Sequence, residues 1–255
     1  TMKRLEAVKF LERAKKDGRI RHAGFSFHDS QGTFMEIIDY WDWDFTMIQF
    51  NYMDEQYQAG RAGLEKAKQK GLGVVAMEPL RGGMLARPLG KEAQDLLNVT
   101  DLKRSNAEWS FRWLWNDPGI HVVLSGMNRL DHIKENIRVA GQALPGTMDE
   151  SELATIAKVQ AVFQKLKAVP CTACRYCMPC PEGVDIPKNL RLYNDYHMDS
   201  TDRRDKTLKR RYKSRVTPKQ SASACNACGK CTEHCPQKIP IPQTMAKIVK
   251  LVRKV

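Results

Sequence analysis

The sequence predicts an α/β domain followed by a small, mainly helical domain that is rich in cysteine. Strand-like and helix-like patterns alternate four times before residue 144, and Pro145 and Gly146 then interrupt the chain. All eight cysteines of the 255 residues follow residue 170. We therefore expect one domain over residues 1–146, a connecting helix over residues 147–168 and a cysteine domain over residues 169–255.

Four strand–helix units make up the first domain. Apolar residues three and four positions apart predict a helix over residues 2–14, which Gly18 ends. The predicted strands are 20–27, 45–51, 73–77 and 121–125, and further helices are expected at 32–41, 57–70, 105–116 and 129–143. Residues 80–84 form a glycine-rich loop, and residues 85–104 are expected to be irregular. Alternation at this spacing indicates parallel strands joined by right-handed crossovers, and four units fit half of an eight-stranded, (βα)8 TIM-type barrel.

The remaining elements are predicted to be helical. Thr147 and Glu150 have the spacing of a capping box, which would begin the connecting helix at Met148 and carry it to about Lys167. Between the cysteine runs, residues 189–196 and 202–212 have helical patterns and residues 217–223 read as a loop. The second domain is therefore expected to be ferredoxin-like but mainly α-helical.

The cysteines form two short runs with the spacing of iron–sulfur ligands. Thiolates are soft ligands, and four of them two or three residues apart can surround a compact cluster of iron and sulfide. The second run has spacings of two, two and three residues and then a proline, whereas the first has two residues before its fourth cysteine. Two [4Fe–4S] clusters are therefore predicted, with the ligands Cys171, Cys174, Cys177 and Cys180, and Cys225, Cys228, Cys231 and Cys235.

How the eight cysteines divide between the clusters is a hypothesis at this point. In two-cluster ferredoxins the fourth cysteine of each run binds the other cluster, which would exchange Cys180 and Cys235 between the two sets. Structural zinc is a weaker alternative, because two Cys-x2-Cys pairs would leave the third cysteine of each run without a role. Disulfides are weaker still, since cysteines two residues apart are poorly placed for independent bridges.

Positive charge is concentrated in the cysteine domain. The net charge is +13, and residues 169–255 carry 18 Lys and Arg against 7 Asp and Glu. Because each oxidised cluster with four thiolates contributes about −2, roughly +7 would remain. The basic run from Arg203 to Arg215 would suit an acidic redox carrier such as a flavodoxin or ferredoxin, although a solvated helix face explains it equally well. Nucleic-acid binding is the weakest of the three interpretations, because Asp202 and Asp205 interrupt the run.

Neither a membrane span nor a leader is expected. The sequence has no apolar run of about 18 residues and no basic, apolar leader at its start. The expected location is the cytoplasm, without a membrane partner.

Short segments at the predicted strand ends then indicate a family. Gly24-Phe25-Ser26, Gln49 after Ile48, Pro79-Leu80 and Gly82-Gly83 occur in the order in which they occur in aldo/keto reductases. The chain resembles the C-terminal half of that family, in the bacterial and archaeal kind that carries an appended ferredoxin domain. The resemblance implies that these four strands are the last four of the barrel.

The same resemblance implies a nicotinamide site. It assigns Ser26 and Gln49 to the carboxamide. Three positions depart from the family pattern. Phe27 replaces an asparagine, and Met77 replaces the aromatic residue that stacks on the nicotinamide. His132 stands where the family has an arginine or glutamine, and without an arginine there the choice of NAD or NADP stays open. The loop implied to pass over the pyrophosphate consists of Leu80, Arg81, Gly82 and Gly83. The residues implied to reach the adenosine phosphate are Asn128, His132, Glu135 and Asn136.

No catalytic residue is predicted in this chain. The family's catalytic aspartate, tyrosine, lysine and histidine come from the first four strands, which would precede Thr1, so we expect a C-terminal fragment that is inactive alone. For the full-length protein the resemblance implies an oxidoreductase that couples NAD(P)H and a small carbonyl substrate to electron transfer through two clusters. The alternative is a non-enzymatic electron-transfer or partner-binding module with the half barrel as a scaffold.

Overall fold

A computed structural model describes residues 6–100, 102–199 and 201–255. These residues form two compact units, the first from the described residues up to 87 together with 104–153, and the second from 88–103 together with 154–255. Each unit has a hydrophobic core of its own. No helix within the described ranges is long and apolar enough to cross a membrane.

The first unit is built on a four-stranded parallel sheet. Its strands are β1 (Gly24–Ser26), β2 (Phe45–Gln49), β3 (Gly73–Met77) and β4 (Val122–Val123), and they lie side by side in chain order. This confirms the α/β class and the predicted half of a barrel. β1 and β4 are shorter than predicted, because only the residues that pair with β2 or β3 form a ladder.

Six helices lie within the described part of the first 140 residues. Five follow the prediction within a few residues, although residues 2–5 of the first predicted helix lie outside the described range. They are α1 (Ala7–Lys16), α2 (Gln31–Tyr40), α3 (Gly60–Gln69), α4 (Lys91–Asn98), α5 (Asn106–Trp115) and α6 (Leu130–Ala140). The expectation of irregular structure was wrong for α4, which buries Ala93 and Leu97 on one face. α3 begins later than predicted because Gln58 has a φ value of 58°, through which a helix cannot continue, and Gly60, also at 58°, becomes its first residue.

The helix α7 (Glu150–Leu166) begins with a capping box two residues later than predicted. The Asp149 N–H donates to Glu152 Oε2 and the Glu152 N–H donates to Asp149 Oδ1, both at 2.8 Å. Thr147, the predicted cap, instead donates its hydroxyl to the Leu144 carbonyl at 2.7 Å. A capping box is therefore present as predicted, but Asp149 and Glu152 form it and bind the free N–H groups at the start of the helix.

The second unit is mainly helical, as predicted. Its further helices are α8 (Ile186–Met198), α9 (Arg204–Arg215), the single turn α10 (Lys230–Glu233) and α11 (Ile241–Lys254). The expected loop at 217–223 instead contains 3-10 turns at Pro218–Gln220 and Ala222–Ala224. α11 was not predicted, and it buries Ile241, Thr244, Met245 and Ile248 on one face.

Asp44 connects the entrances of three strands. Its carboxylate accepts hydrogen bonds from Lys15 Nζ at 2.6 Å and from the Ala23 N–H at 2.7 Å, and its carbonyl accepts from the Gly73 N–H at 3.0 Å. The Lys15 hydrogen bond, followed by that of Ala23, lowers the pKa of Asp44 from 3.8 to about 2. A carboxylate whose pKa falls on folding stabilises the folded state above the unfolded pKa.

We expect Asp44→Asn to destabilise the first unit at pH 7. One pKa unit corresponds to about 1.4 kcal/mol and the side chain is partly exposed, so the expected loss is about 1–2 kcal/mol. The loss should shrink as the pH falls from about 4 towards 2, where wild-type Asp44 becomes protonated. Urea unfolding followed by tryptophan fluorescence measures it, because all five tryptophans lie between residues 41 and 115.

Asp42→Asn is the matched control, since Asp42 is an exposed neighbour two residues away. An Asp44 variant as stable as the Asp42 variant at pH 7 would contradict this account.

Candidate functional site

The two cysteine runs follow the same backbone path. The residue before the second cysteine is left-handed in both, with φ 58° at Ala173 and 61° at Ala227. The residue after it is also left-handed, with φ 67° at Arg175 and 82° at Gly229. Left-handed residues reverse the chain locally, so successive cysteines can turn towards one side of each loop.

The repeat continues beyond the fourth cysteine of each run. The Gly183 N–H donates to the Cys180 carbonyl at 2.9 Å, and the Lys238 N–H donates to the Cys235 carbonyl at 3.0 Å. Gly183 and Lys238 are both left-handed, with φ 78° and 49°. An Ile-Pro pair then begins α8 after the first run and α11 after the second. The spacing difference between the runs is thus contained between their third and fourth cysteines.

Burial follows the same repeat. Cys174 and Cys228, the second cysteines of the two runs, are exposed, and the other six cysteines are half-buried. These six also pack against the hydrophobic core of the second unit. Each run therefore presents one thiol at the surface and three towards the interior.

A cavity of about 370 Å³ opens between the runs. Its apolar wall includes Ile186, Ile241 and Met245. Among the residues that the structure describes, no three His, Cys, Asp or Glu side chains are grouped closely enough to hold a single metal ion. Five thiols line the cavity instead: Cys177, Cys180, Cys225, Cys228 and Cys231.

The remaining cysteines form a second neighbourhood. Burial raises the pKa of the Cys171 thiol, and the nearby Cys174 and Cys235 raise it further. Burial also raises the pKa of Cys177 to about 12, with contributions from Cys171, Cys174 and Cys231. Raised values mean that the free thiols hold their protons, so binding a metal cluster must release them.

Two asparagines on α8 hold the chain just before each run. Asn194 pairs with both backbone groups of Val169: its Oδ1 accepts from the Val169 N–H at 3.0 Å and its Nδ2 donates to the Val169 carbonyl at 2.9 Å. Asn189 Oδ1 accepts from the Ala222 N–H at 3.1 Å and from the Tyr212 hydroxyl at 2.5 Å. Both asparagines are buried, so α8 fixes the entrance to both cysteine runs.

In the first unit, two of the predicted nicotinamide residues meet at a buried carboxylate. Gln49 Nε2 donates to Asp54 Oδ2 at 3.0 Å, and Arg81 Nε donates to the same oxygen at 3.1 Å. Asn51 Nδ2 holds the Glu78 carbonyl at 3.0 Å, where the chain leaves β3. Gln49, Asp54 and Arg81 are all under 9% exposed, which makes this a desolvated polar network.

The loop after β3 has a strained backbone. Glu78 and Arg81 have φ values of 55° and 51°, which non-glycine residues seldom adopt, and Gly82 and Gly83 follow at 65° and 81°. Leu80 is half-buried between them, Gly82 is exposed and Gly83 is half-buried. Such a turn exposes backbone N–H groups where side chains are small, as phosphate binding requires.

The other predicted nucleotide residues follow β1 and β4. Ser26 ends β1 and is exposed, while Asn136 on α6 donates to Ser125 Oγ at 3.1 Å. Asn128 and His132 are exposed and Glu135 is half-buried. Because the strands are parallel, Ser26, Gln49, the loop after β3 and the segment after β4 leave the sheet at the same end.

Sequence reasoning missed Asp54, Asn189 and Asn194. Each is a short polar residue whose role depends on burial, and burial by distant segments leaves no local pattern. The one available signal was the position of Asp54, five residues after the predicted carboxamide ligand Gln49.

Comparison with known proteins identifies both parts of the chain. The Aldo/keto reductase family matches residues 1–161, and the 4Fe-4S dicluster domain matches residues 170–239. An uncharacterized oxidoreductase of Schizosaccharomyces pombe is 28% identical over 129 residues, which cover 50% of this chain and 39% of that protein.

Two solved structures are similar to part of the chain. The aldo-keto reductase AKR11C1 from Bacillus halodurans matches in its holo form with 21% identity and a TM-score of 0.48, covering 58% of this chain and 53% of that one. Its apo form gives 21% and 0.47, with coverages of 58% and 54%. This chain thus spans about half the length of each solved structure and 39% of the length of the curated relative. On the family match over residues 1–161, the chain belongs to the aldo/keto reductase family and carries a 4Fe-4S dicluster domain after it.

Proposed function

We propose that this chain is part of an iron–sulfur oxidoreductase that couples a nicotinamide site to electron transfer through two [4Fe–4S] clusters. The observation that carries the proposal is the repeated cysteine loop, which occurs twice with matching left-handed residues and places five thiols around one cavity. When bound, such clusters supply one-electron transfer. The family adds NAD(P)H and a small carbonyl substrate for the complete barrel.

The positions of the thiols favour a crossed division of ligands. Cys180 of the first run lines the cavity together with Cys225, Cys228 and Cys231. Cys235 of the second run is an electrostatic neighbour of Cys171. A hydrogen bond of 2.9 Å from Asn226 Nδ2 to Glu182 Oε1 also joins the second run to the turn after Cys180. We therefore propose Cys171, Cys174, Cys177 and Cys235 for one cluster and Cys180, Cys225, Cys228 and Cys231 for the other.

In the nicotinamide site, Asp54 would orient two residues at once. Its carboxylate holds the amide of Gln49 and the guanidinium of Arg81, so both are fixed before a nucleotide arrives.

The second candidate function, a non-enzymatic electron-transfer module, draws support from the same network. Gln49 and Arg81 are already hydrogen-bonded there and would need to turn towards a ligand.

The first prediction here concerns metal content. Protein purified without oxygen should contain about eight irons and eight sulfides per chain, as two filled clusters require. Iron and sulfide analysis, with the visible absorbance of the clusters, measures this. Stoichiometric zinc in a colourless protein would contradict it.

Iron analysis of the Cys235→Ser and Cys180→Ser variants tests the crossed division of ligands. Cys235→Ser should disturb the cluster bound mainly by the first run, whereas Cys180→Ser should disturb the other. Loss of the Cys225, Cys228 and Cys231 cluster in the Cys235 variant would refute the crossed division.

The second prediction concerns the nucleotide. In a protein that also carries the first four strands, Gln49→Ala should weaken NADH or NADPH binding about fivefold, because one hydrogen bond contributes about 1 kcal/mol. Calorimetric titration measures the affinity. Gln69→Ala, at an exposed position on α3, is the control. Equal affinity in both variants would favour the scaffold interpretation.

An acidic redox carrier is the partner that we propose for the basic face of the second unit. This basic face consists of exposed residues on α9 and α11, and Lys209 Nζ joins the two helices by donating to the Val255 carbonyl at 3.1 Å. Arg211 is not free to contribute, because it pairs with Asp195 at 3.2 Å. The face comprises Arg203 just before α9, then Arg204, Lys206, Lys209, Arg210, Lys213 and Arg215 on α9, and Lys247, Lys250, Arg253 and Lys254 on α11.

The third prediction tests this partner. Replacing Arg210 and Lys213 by glutamate should slow electron transfer to a flavodoxin or ferredoxin about tenfold at low salt and less at high salt, with unchanged iron content. Stopped-flow absorbance measures the rate. Lys134→Glu, an exposed position in the first unit, is the control. An unchanged rate at low ionic strength would mean that the basic face is only a solvated surface and does not bind the carrier.

A further inference from the structure

The mouth of the cysteine cavity has an exposed apolar side. Tyr176, which lies between the second and third cysteines of the first run, lines the cavity and is still 68% exposed. Pro179 and Pro181 line the same cavity and are also exposed. Single apolar residues on a surface are common, whereas adjacent ones at the edge of a cavity mark a contact site. We call these three residues the apolar rim.

A turn holds Tyr176 in its exposed position. The Met178 N–H donates to the Arg175 carbonyl at 2.8 Å, so Tyr176 is the second residue of a hydrogen-bonded turn. Its backbone is therefore fixed while its ring faces the solvent. A tyrosine ring is large and has few rotatable bonds, so it loses little conformational entropy when a partner covers it.

The apolar rim lies beside an accessible sulfur. Of the five thiols that line the cavity, Cys228 is the exposed one. Asn226, Lys230 and His234 of the second run also line the cavity and are exposed. A protein that covered Tyr176 would thus lie close to Cys228, one of the four proposed ligands of the second cluster. This is a suitable position for a partner that exchanges electrons with that cluster.

The basic face is a separate part of the second unit. α11 begins in the cavity wall, where Ile241 and Met245 line the cavity, and its basic residues follow. At 1.5 Å per residue, Arg253 lies about 18 Å along the helix from Ile241. Salt screens exposed charges beyond about 8–10 Å, so attraction by the basic face and contact at the apolar rim should respond differently to salt.

We propose that the apolar rim is the docking site of an acidic one-electron carrier protein, which the basic face attracts and which reduces the cluster beside Cys228. This inference rests on the proposed function. The surplus of 18 Lys and Arg over 7 Asp and Glu in residues 169–255 favours an acidic partner. The carrier loses one electron and the cluster gains it, so the charge of the cluster with its thiolates changes from about −2 to about −3. No bond forms or breaks in this step.

The size of the apolar rim suits such a partner. Electron-transfer complexes are weak and bury small areas, so one aromatic residue and two prolines can supply much of the contact. In most interfaces a few residues contribute most of the binding free energy, and tyrosine is enriched among them. We therefore expect Tyr176 to contribute more to docking than any single residue of the basic face.

The test is stopped-flow reduction of the cluster-loaded chain by flavodoxin hydroquinone, which becomes the semiquinone, over a range of flavodoxin concentrations. Tyr176→Ala should raise the concentration that gives half of the limiting rate about tenfold, at low and high salt alike, because the lost contact is apolar. Tyr176→Phe should retain the wild-type value. Tyr176→Gln serves if the alanine variant does not bind clusters.

Phe10→Ala is the matched control, because Phe10 is an aromatic residue of the first unit that is 54% exposed. Iron content and the reduction potentials of both clusters are measured first on every sample. Wild-type protein without clusters would refute the proposed function. Filled clusters with changed potentials in the Tyr176 variants, with the same half-saturation as Phe10→Ala, or without reduction by flavodoxin would overturn only the docking site.

Discussion

The buried asparagines of α8 determine how the two cysteine runs stand relative to each other. Asn194 fixes Val169, two residues before the first run, and Asn189 fixes Ala222, three residues before the second. Both bind backbone groups and so fix the path of the chain directly, while the side chains of Val169 and Ala222 are buried in the core of the second unit. The 44 residues between the runs therefore have a structural purpose, because they supply the helix that holds both loops.

Some of this architecture could be read from the sequence because its signals are local. Cysteine spacing follows from the coordination of a cluster, and short apolar runs between glycines and prolines mark buried parallel strands. The α11 helix was also readable, since Ile241, Thr244, Met245 and Ile248 share one face and proline is tolerated in the first turn. The α11 helix is overlooked only when its two prolines are treated as residues that break a helix.

Other features depend on contacts that no local pattern records. Thr147 and Asp149 are both suitable helix caps, and the choice between them follows from Asn116, whose Oδ1 accepts the Met148 N–H at 2.9 Å and sets the approach to α7. The Asp54 network is similar. Gln49 and Arg81 are 32 residues apart, and only the parallel pairing of β2 with β3 brings them to one carboxylate.

The proposed chemistry places two different electrostatic demands on the second unit. A nicotinamide releases its two electrons together as a hydride, whereas each cluster takes up one electron at a time, so coupling the two sites would require a carrier that takes the hydride and passes its electrons on singly. Each added electron would make the domain more negative, so groups close to a cysteine sulfur, such as the Ala173 N–H at 3.4 Å from Cys171 Sγ, would act with little screening. The basic face of α9 and α11 is exposed, where salt screens charges beyond about 8–10 Å. Near groups therefore adjust the cluster potentials, while the surface charge acts mainly on the encounter with a partner.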